Sequence, residues 1–128
     1  MIQSETKPIE RIASPPIVPE GPVIDLAHLA RMTLGDKRLE AEVLALLDRQ
    51  ADLLLARMRE APPAAAGAFA HTLKGSARGV GAWRVAAAAE RVEVAAGSNP
   101  ATVPDAIVGL AAAVTQAREA IADLLATS

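Results

Sequence analysis

The chain has 128 residues, which is enough for one domain, and 52% of them are hydrophobic, with one Phe, one Trp and no Tyr. The absence of cysteine excludes disulfides and cysteine-based metal sites or catalysis, and the formal net charge of −2 gives no electrostatic reason to expect a nucleic-acid partner. No apolar run reaches the roughly eighteen residues that a membrane span needs, and the N-terminus, with Glu5 and Glu10, has no signal-peptide segment. We therefore expect a cytoplasmic protein of closely packed, alanine-rich helices.

Residues 1–22 read as a proline-rich leader. They show scattered charges and no sustained hydrophobic period, and they carry Pro8, Pro15, Pro16, Pro19 and Pro22. Proline removes a backbone donor and disfavours helix at the preceding residue. The pattern predicts a flexible leader over residues 1–22 and a helical domain over residues 23–128. A segment that docks to a partner is the alternative to a disordered end.

A short first helix is predicted after the leader. Asp25 can cap a helix that continues to about Met32, where residues 33–36 indicate a break and a restart. His28 lies in this helix and has no second His, Cys or carboxylate pair at a metal-ligand spacing in the same turn. We therefore interpret His28 as a structural or surface histidine.

The second helix is predicted to be long, over about residues 36–60, with Asp36 as its cap or first-turn acid. Its predicted buried stripe comprises Leu39, Val43, Leu46, Leu47, Leu54 and Met58. Leu53 and Leu55 widen the apolar surface. Extra packing and a partner-facing role are both open for these two leucines.

Three further helices complete the predicted fold, over about residues 62–78, 82–96 and 104–126, with Gly81 as the stop of the third helix. We expect Trp83 to cover an end of the bundle. The predicted core positions are Phe69, Leu73, Ser76 and Val80, then Val85, Ala89, Val92 and Ala96, and finally Ile107, Leu110, Ala111, Val114, Ile121 and Leu125. Because the connections are short, the sequence predicts an all-α fold, an up-down antiparallel four-helix bundle with an extra short N-terminal helix.

The third helix presents one histidine away from its apolar stripe. His71 lies on the opposite face, with Lys74 at i+3, Gly75 at i+4 and Arg78 at i+7 on neighbouring surface positions. Because glycine inside a helix costs about 1 kcal/mol relative to alanine, Gly75 indicates that a side chain there would obstruct the imidazole or an approaching group. Lys74 can stabilise an anionic group on the ring by its positive charge, and Arg78 adds to the positive electrostatic field around the ring. The arrangement suits acceptance of a phosphoryl group, although an ordinary surface histidine stays open at this point.

Two stretches resemble the signature of histidine-containing phosphotransfer (HPt) domains. These are residues 71–77 (HTLKGSA) and residues 80–82 (VGA), and residues 89–93 (AERVE) fit that family's next helix. The motif joins an H-x-L-K-G-S core to a glycine ten residues after the histidine. The helical layout is similar over about residues 24–126. Gly79 departs from the family's commoner non-glycine residue and is predicted to fray the end of the helix.

The resemblance implies a role for each matching residue. His71 would be phosphorylated, and Lys74 would lie beside the phosphate. Gly75 would be the clearance position, and Ser76 would support the motif. In the family, the residue at the position of Glu93 often lies near the phosphorylated histidine and is Gln in some members. Glu93 would orient the imidazole by hydrogen bonding, although its charge would also repel a phosphate.

The resemblance also implies partners, namely receiver domains of response regulators and a hybrid histidine kinase. The receiver would bring Mg²⁺, and the chain would need no cofactor or metal of its own. The docking surface is predicted to be apolar, drawing on Ala64, Ala68 and the short first helix, with Lys74 and Arg78 at its edge. The sequence has no Walker-type loop and no nucleotide-binding glycine fingerprint, so we expect a monomeric phosphocarrier that does not phosphorylate itself from ATP.

Two other functions are open. A non-catalytic helical adaptor would bind receiver or kinase domains without carrying phosphate, and it would need the docking surface but not His71. A purely structural or dimerisation bundle is a weaker alternative, because it leaves Gly75 and the exposed His–Lys pair unexplained.

Overall fold

The computed structural model describes residues 21–127 and contains, within that range, five α-helices and no strand. The helices are α1 (Leu26–Met32), α2 (Lys37–Glu60), α3 (Ala66–Val80), α4 (Trp83–Ser98) and α5 (Val103–Ala126). Helix α2 packs against α3 and α5, and α4 packs against the same two helices from the other side. Since consecutive long helices are joined by short connections, neighbours run antiparallel. The predicted four-helix bundle with an extra short helix is confirmed.

The predicted flexible leader, residues 1–22, falls outside the described residues apart from its last two positions, and it stays a prediction. Among the described helices, none has both the length and the apolar character that a bilayer span requires.

Side-chain caps and prolines fix where the helices begin. The carboxylates of Asp25 and Asp36 accept hydrogen bonds from the backbone N–H groups of His28 and Leu39, at 3.0 and 3.1 Å. These bonds satisfy amides that have no partner inside the helix. Short 3₁₀ turns at Pro63–Ala65 and Pro100–Thr102 lead into α3 and α5, where a proline costs nothing because the first helical amides are unpaired anyway.

Alanine dominates the contact between α3 and α4. The predicted stripe on α4 is confirmed, since Val85, Ala89, Val92 and Ala96 are all buried. On α3 the buried face consists mainly of alanines. Phe69 and Ser76, which were predicted to lie in the core, are only half-buried. The fully enclosed residues of α3 are Ala66, Ala70, Leu73 and Ala77. Small side chains let two helices approach closely. At this contact the core is therefore filled by closely spaced helix backbones and alanine methyl groups more than by large side chains.

The predicted stripe on α2 is partly wrong. Leu39 and Leu46 are exposed, whereas Leu55 is buried in the core. The buried residues of this helix are Leu44, Leu47, Ala51, Leu55 and Met58. Helix α2 carries leucines around most of its circumference and touches both α3 and α5, so periodicity could not select the inward face. At the end of α5, Leu125 is likewise exposed rather than in the core.

A polar cluster holds α1 against the turn between α3 and α4. The amide of Asp25 donates to the carbonyl of Gly81 at 3.0 Å, and Trp83 Nε1 donates to Asp25 Oδ2 at 2.9 Å. The ring of His28 packs edge-on against Trp83, with centroids 4.8 Å apart, and its Nε2 donates to the carbonyl of Arg78 at 3.0 Å. His28 is therefore a structural histidine, and Trp83 closes this end of the bundle.

Replacing Gly81 should test this turn. Gly81 has φ +86°, and a Cβ there would lie 2.9 Å from the carbonyl oxygen of Asp25. We expect Gly81→Ala to lower the free energy of unfolding by about 1–3 kcal/mol in urea titrations. Gly79→Ala is the matched control, because a Cβ at that helical position meets nothing within 4 Å, and it should be neutral or slightly stabilising. Equal unfolding free energies for the two variants would contradict the account.

Candidate functional site

Helix α3 turns one histidine to solvent. Leu73 and Ala77 point into the bundle and are fully buried, and the opposite face carries His71, Gly75 and Arg78. The side chain of His71 is 68% exposed. The predicted exposure of His71 is therefore confirmed, and it follows from the 3.6-residue period of the helix.

Glu93 of α4 reaches across to α3 and binds two of its side chains at once. Its Oε2 lies 2.8 Å from His71 Nδ1, and its Oε1 lies 2.6 Å from Lys74 Nζ. One carboxylate thus bridges the histidine and the lysine that the sequence placed one turn apart. The predicted contact between Glu93 and the imidazole is present.

Glu93 is held in its ionised form by these contacts. The hydrogen bond from Lys74, followed by that from His71, keeps the pKa of Glu93 below its ordinary value, and these effects outweigh the opposing desolvation. An ionised carboxylate can only accept, so His71 Nδ1 must donate the shared proton. In the neutral ring this leaves the lone pair on Nε2. Within residues 21–127, no other group hydrogen-bonds to the ring.

The contact depends on how closely α3 and α4 approach. A Cβ on Gly67 would lie 3.2 Å from Cβ of Ala96 and within 4 Å of the backbone of Glu93. Gly67 lies one turn before His71, so this glycine lets the two backbones come together where the bridge forms. Gly67 was not among the predicted site residues. Its signal was a glycine in a helix interior four residues before the histidine, the mirror of Gly75.

Lys74 is largely covered, with 14% of its side chain exposed, and its ammonium group is paired with Glu93. The pairing offsets the negative charge that would otherwise repel a phosphate beside the ring. Whether Lys74 also contacts a phosphate stays a prediction.

Gly75 and Ser76 lie one turn after His71 on α3, and neither hydrogen-bonds to its ring. A Cβ on Gly75 would meet nothing within 4 Å, so packing inside the chain does not require a glycine there. This is what a clearance role toward an incoming group needs. Ser76 is half-buried and lines a groove on the other flank of α3, together with Met32, Leu46 and Gly79.

Arg78 was predicted to add to the positive field, and in the structure its charge is paired. Its guanidinium donates to Glu90 Oε1 at 3.0 Å, and both side chains are about half exposed, at 54% and 50%. Glu90 lies one turn before Glu93 on α4, and this position brings it opposite Arg78.

The two flanks of α3 therefore differ in chemistry. Toward α4 lie the ion pairs of Glu90 and Glu93, and toward α2 lies an apolar groove without a charged lining residue. Fold and site together define a helical bundle with one exposed histidine whose Nδ1 is hydrogen-bonded to a carboxylate.

Comparison with known proteins assigns the family. The family model described as Hpt domain matches residues 38–126, which covers most of α2 and all of α3 and α4, and continues to the end of α5. The chain belongs to the Hpt domain family, whose members are phosphocarrier modules of histidine phosphotransfer in phosphorelay signalling. Searches of curated proteins and of solved structures give no match.

Proposed function

We propose that this protein shuttles a phosphoryl group between receiver-domain aspartates in a multistep His–Asp phosphorelay, as phosphohistidine at His71. The observation that supports this proposal most strongly is the bridge from Glu93. It occupies Nδ1 of an exposed ring and leaves Nε2 as the nucleophile.

The proposed transfer begins with the lone pair of Nε2 attacking the phosphorus of a receiver's aspartyl phosphate. The N–P bond forms as the P–O bond breaks, and the aspartate carboxylate leaves with the electron pair. The ring gains positive charge, which the carboxylate of Glu93 stabilises through the Nδ1–H group. The receiver supplies Mg²⁺ for the transferring oxygens, and Lys74 lies within one turn of the ring to offset their charge.

The proposed site is completed by the partner. A ring that is about two-thirds exposed on a convex helix cannot exclude water, so docking must enclose it. We place the receiver over His71 and the groove between α2 and α3. Exposed apolar side chains along this groove include Met32 (58%), Leu39 (39%) and Leu46 (47%). Gly79, which lines the groove, adds no side chain to this surface.

This docking face extends the predicted one. Ala64 and Ala68 are exposed before His71, as a docking role requires. Leu39 and Leu46 of α2 were assigned to the core by the sequence pattern, and their exposure adds apolar surface to this face. The glycine at position 79, which the motif did not explain, keeps the surface open beside Met32.

Transfer from a phosphorylated receiver tests the proposal directly. With several radiolabelled receiver domains, we expect the wild type to take up acid-labile, base-stable label and His71→Gln to take up none. If both proteins bind the receivers and neither takes label, the chain is a non-catalytic adaptor instead.

Gly75→Gln should block that transfer without unfolding the bundle. A Cβ at position 75 meets nothing within 4 Å beyond its own turn of helix, but a side chain there would stand one turn from the ring, where the phosphoryl group and the receiver must approach. We expect at least about a hundredfold slower labelling, since small displacements at a transfer site carry costs of that order. Gly109→Gln on α5 is the matched control, because a Cβ there also meets nothing within 4 Å. Normal labelling of a folded Gly75→Gln protein would refute the clearance role.

A further inference from the structure

We propose that Glu93 sets how readily the phosphohistidine gives up its phosphoryl group, by keeping a proton on Nδ1 of His71 while the phosphoryl group occupies Nε2. The inference rests on the proposed function and concerns the donor half of the reaction. Glu93 touches neither phosphorus nor the attacking atom, so it is a positioning residue that acts through the ring.

The geometry places a carboxylate oxygen at the nitrogen that does not react. Glu93 Oε2 lies 2.8 Å from Nδ1, a distance typical of a charge-assisted hydrogen bond. The other carboxylate oxygen is held by Lys74 Nζ at 2.6 Å, which anchors the group in place. The carboxylate comes from α4 and the ring from α3, so the pairing is fixed by the packing of two helices.

The protonation of Nδ1 determines which form of the imidazole ring is the leaving group when the phosphoryl group is transferred to the next acceptor. If the ring keeps Nδ1–H, the P–N bond breaks with its electron pair returning to Nε2, and the departing ring is a neutral imidazole. If Nδ1 has lost its proton, the same step must release an imidazolate, which is a far poorer leaving group. A carboxylate beside Nδ1 favours the protonated ring, in the way that an aspartate stabilises the imidazolium of a catalytic histidine.

A neutral amide at position 93 would accept the same hydrogen bond without the charge. This chain has the charged residue, Glu, at position 93. With an amide there, the phosphorylated ring would lose its Nδ1 proton to solvent more readily as the pH rises. Glu93 therefore makes this chain a fast donor with a short-lived phosphohistidine, where an amide would make a longer-lived store.

The surrounding charges leave Glu93 as the main influence on the ring. From α3, Lys74 opposes the effect of Glu93, but its ammonium bonds the other carboxylate oxygen. Arg78 of α3 and Glu90 of α4 pair with each other, and Arg91 of α4 is exposed. From α1, His28 bonds a backbone carbonyl. The groove toward α2 has no charged lining residue.

The test loads His71 without any receiver. Phosphoramidate, a small-molecule phosphodonor, is used on the full chain for wild type, Glu93→Gln and Glu90→Gln, and loss of phosphohistidine is followed by ³¹P NMR. The Glu90 variant makes the same change one turn away on α4. Circular dichroism confirms that each variant is folded. At about pH 8.5 we expect the phosphohistidine of Glu93→Gln to last about five to ten times longer than that of the wild type. At about pH 5.5, where solvent protonates the ring in both proteins, we expect the two lifetimes to be equal.

Each outcome has one meaning. A longer lifetime for Glu93→Gln at high pH only, with Glu90→Gln behaving as wild type, supports the inference. Equal or shorter lifetimes for Glu93→Gln overturn it, as does an equal lengthening in Glu90→Gln, which would be a general charge effect. If His71 of the wild type takes no phosphoryl group from phosphoramidate, the proposed function fails and this inference fails with it.

Discussion

The carboxylate of Glu93 joins α3 and α4 at the point where an exposed histidine and a covered lysine lie one turn apart. Without this carboxylate, His71 would be a surface imidazole in either tautomer, and the ammonium group of Lys74 would lack its ion-pair partner. With it, Nδ1 donates to the carboxylate, and in the neutral ring Nε2 keeps the lone pair that we propose as the nucleophile. The reactivity that we propose for the site follows from this one bridge.

The bridge in turn depends on a core of small residues. Alanines fill the α3–α4 contact, and Gly67 removes the last obstacle between the backbones beside Glu93. A bulkier pair of helices would hold the carboxylate too far from the ring for a 2.8 Å bond. The alanine-rich composition is therefore linked to the geometry of the site. Larger apolar residues of α2 and α5 supply much of the bulk that closes the core, among them Leu47, Met58, Ile107, Leu110 and Ile121.

Much of this fold was predictable from the sequence, because its signals are local. Aspartates 25 and 36 as caps, Gly81 as a stop and the stripe of α4 each express a rule that operates within a few residues. The exposure of His71 follows from the same period. The inward face of α2 was not predictable, because leucines surround that helix and the choice depends on which neighbours pack against it. The same holds for Gly67 and for the pairing of Arg78 with Glu90, which depend on contacts between helices.

The most direct test of the account locates the phosphorus atom. The chain has two histidines, and a different ring nitrogen donates a hydrogen bond in each. His71 donates from Nδ1 to Glu93, and His28 donates from Nε2 to the carbonyl of Arg78. In protein labelled with ¹⁵N and phosphorylated by a receiver domain, coupling between ³¹P and ¹⁵N identifies the modified nitrogen. The account predicts coupling to Nε2 of His71 alone. Phosphorus on Nδ1 of His71, on His28 or on a carboxylate would contradict it.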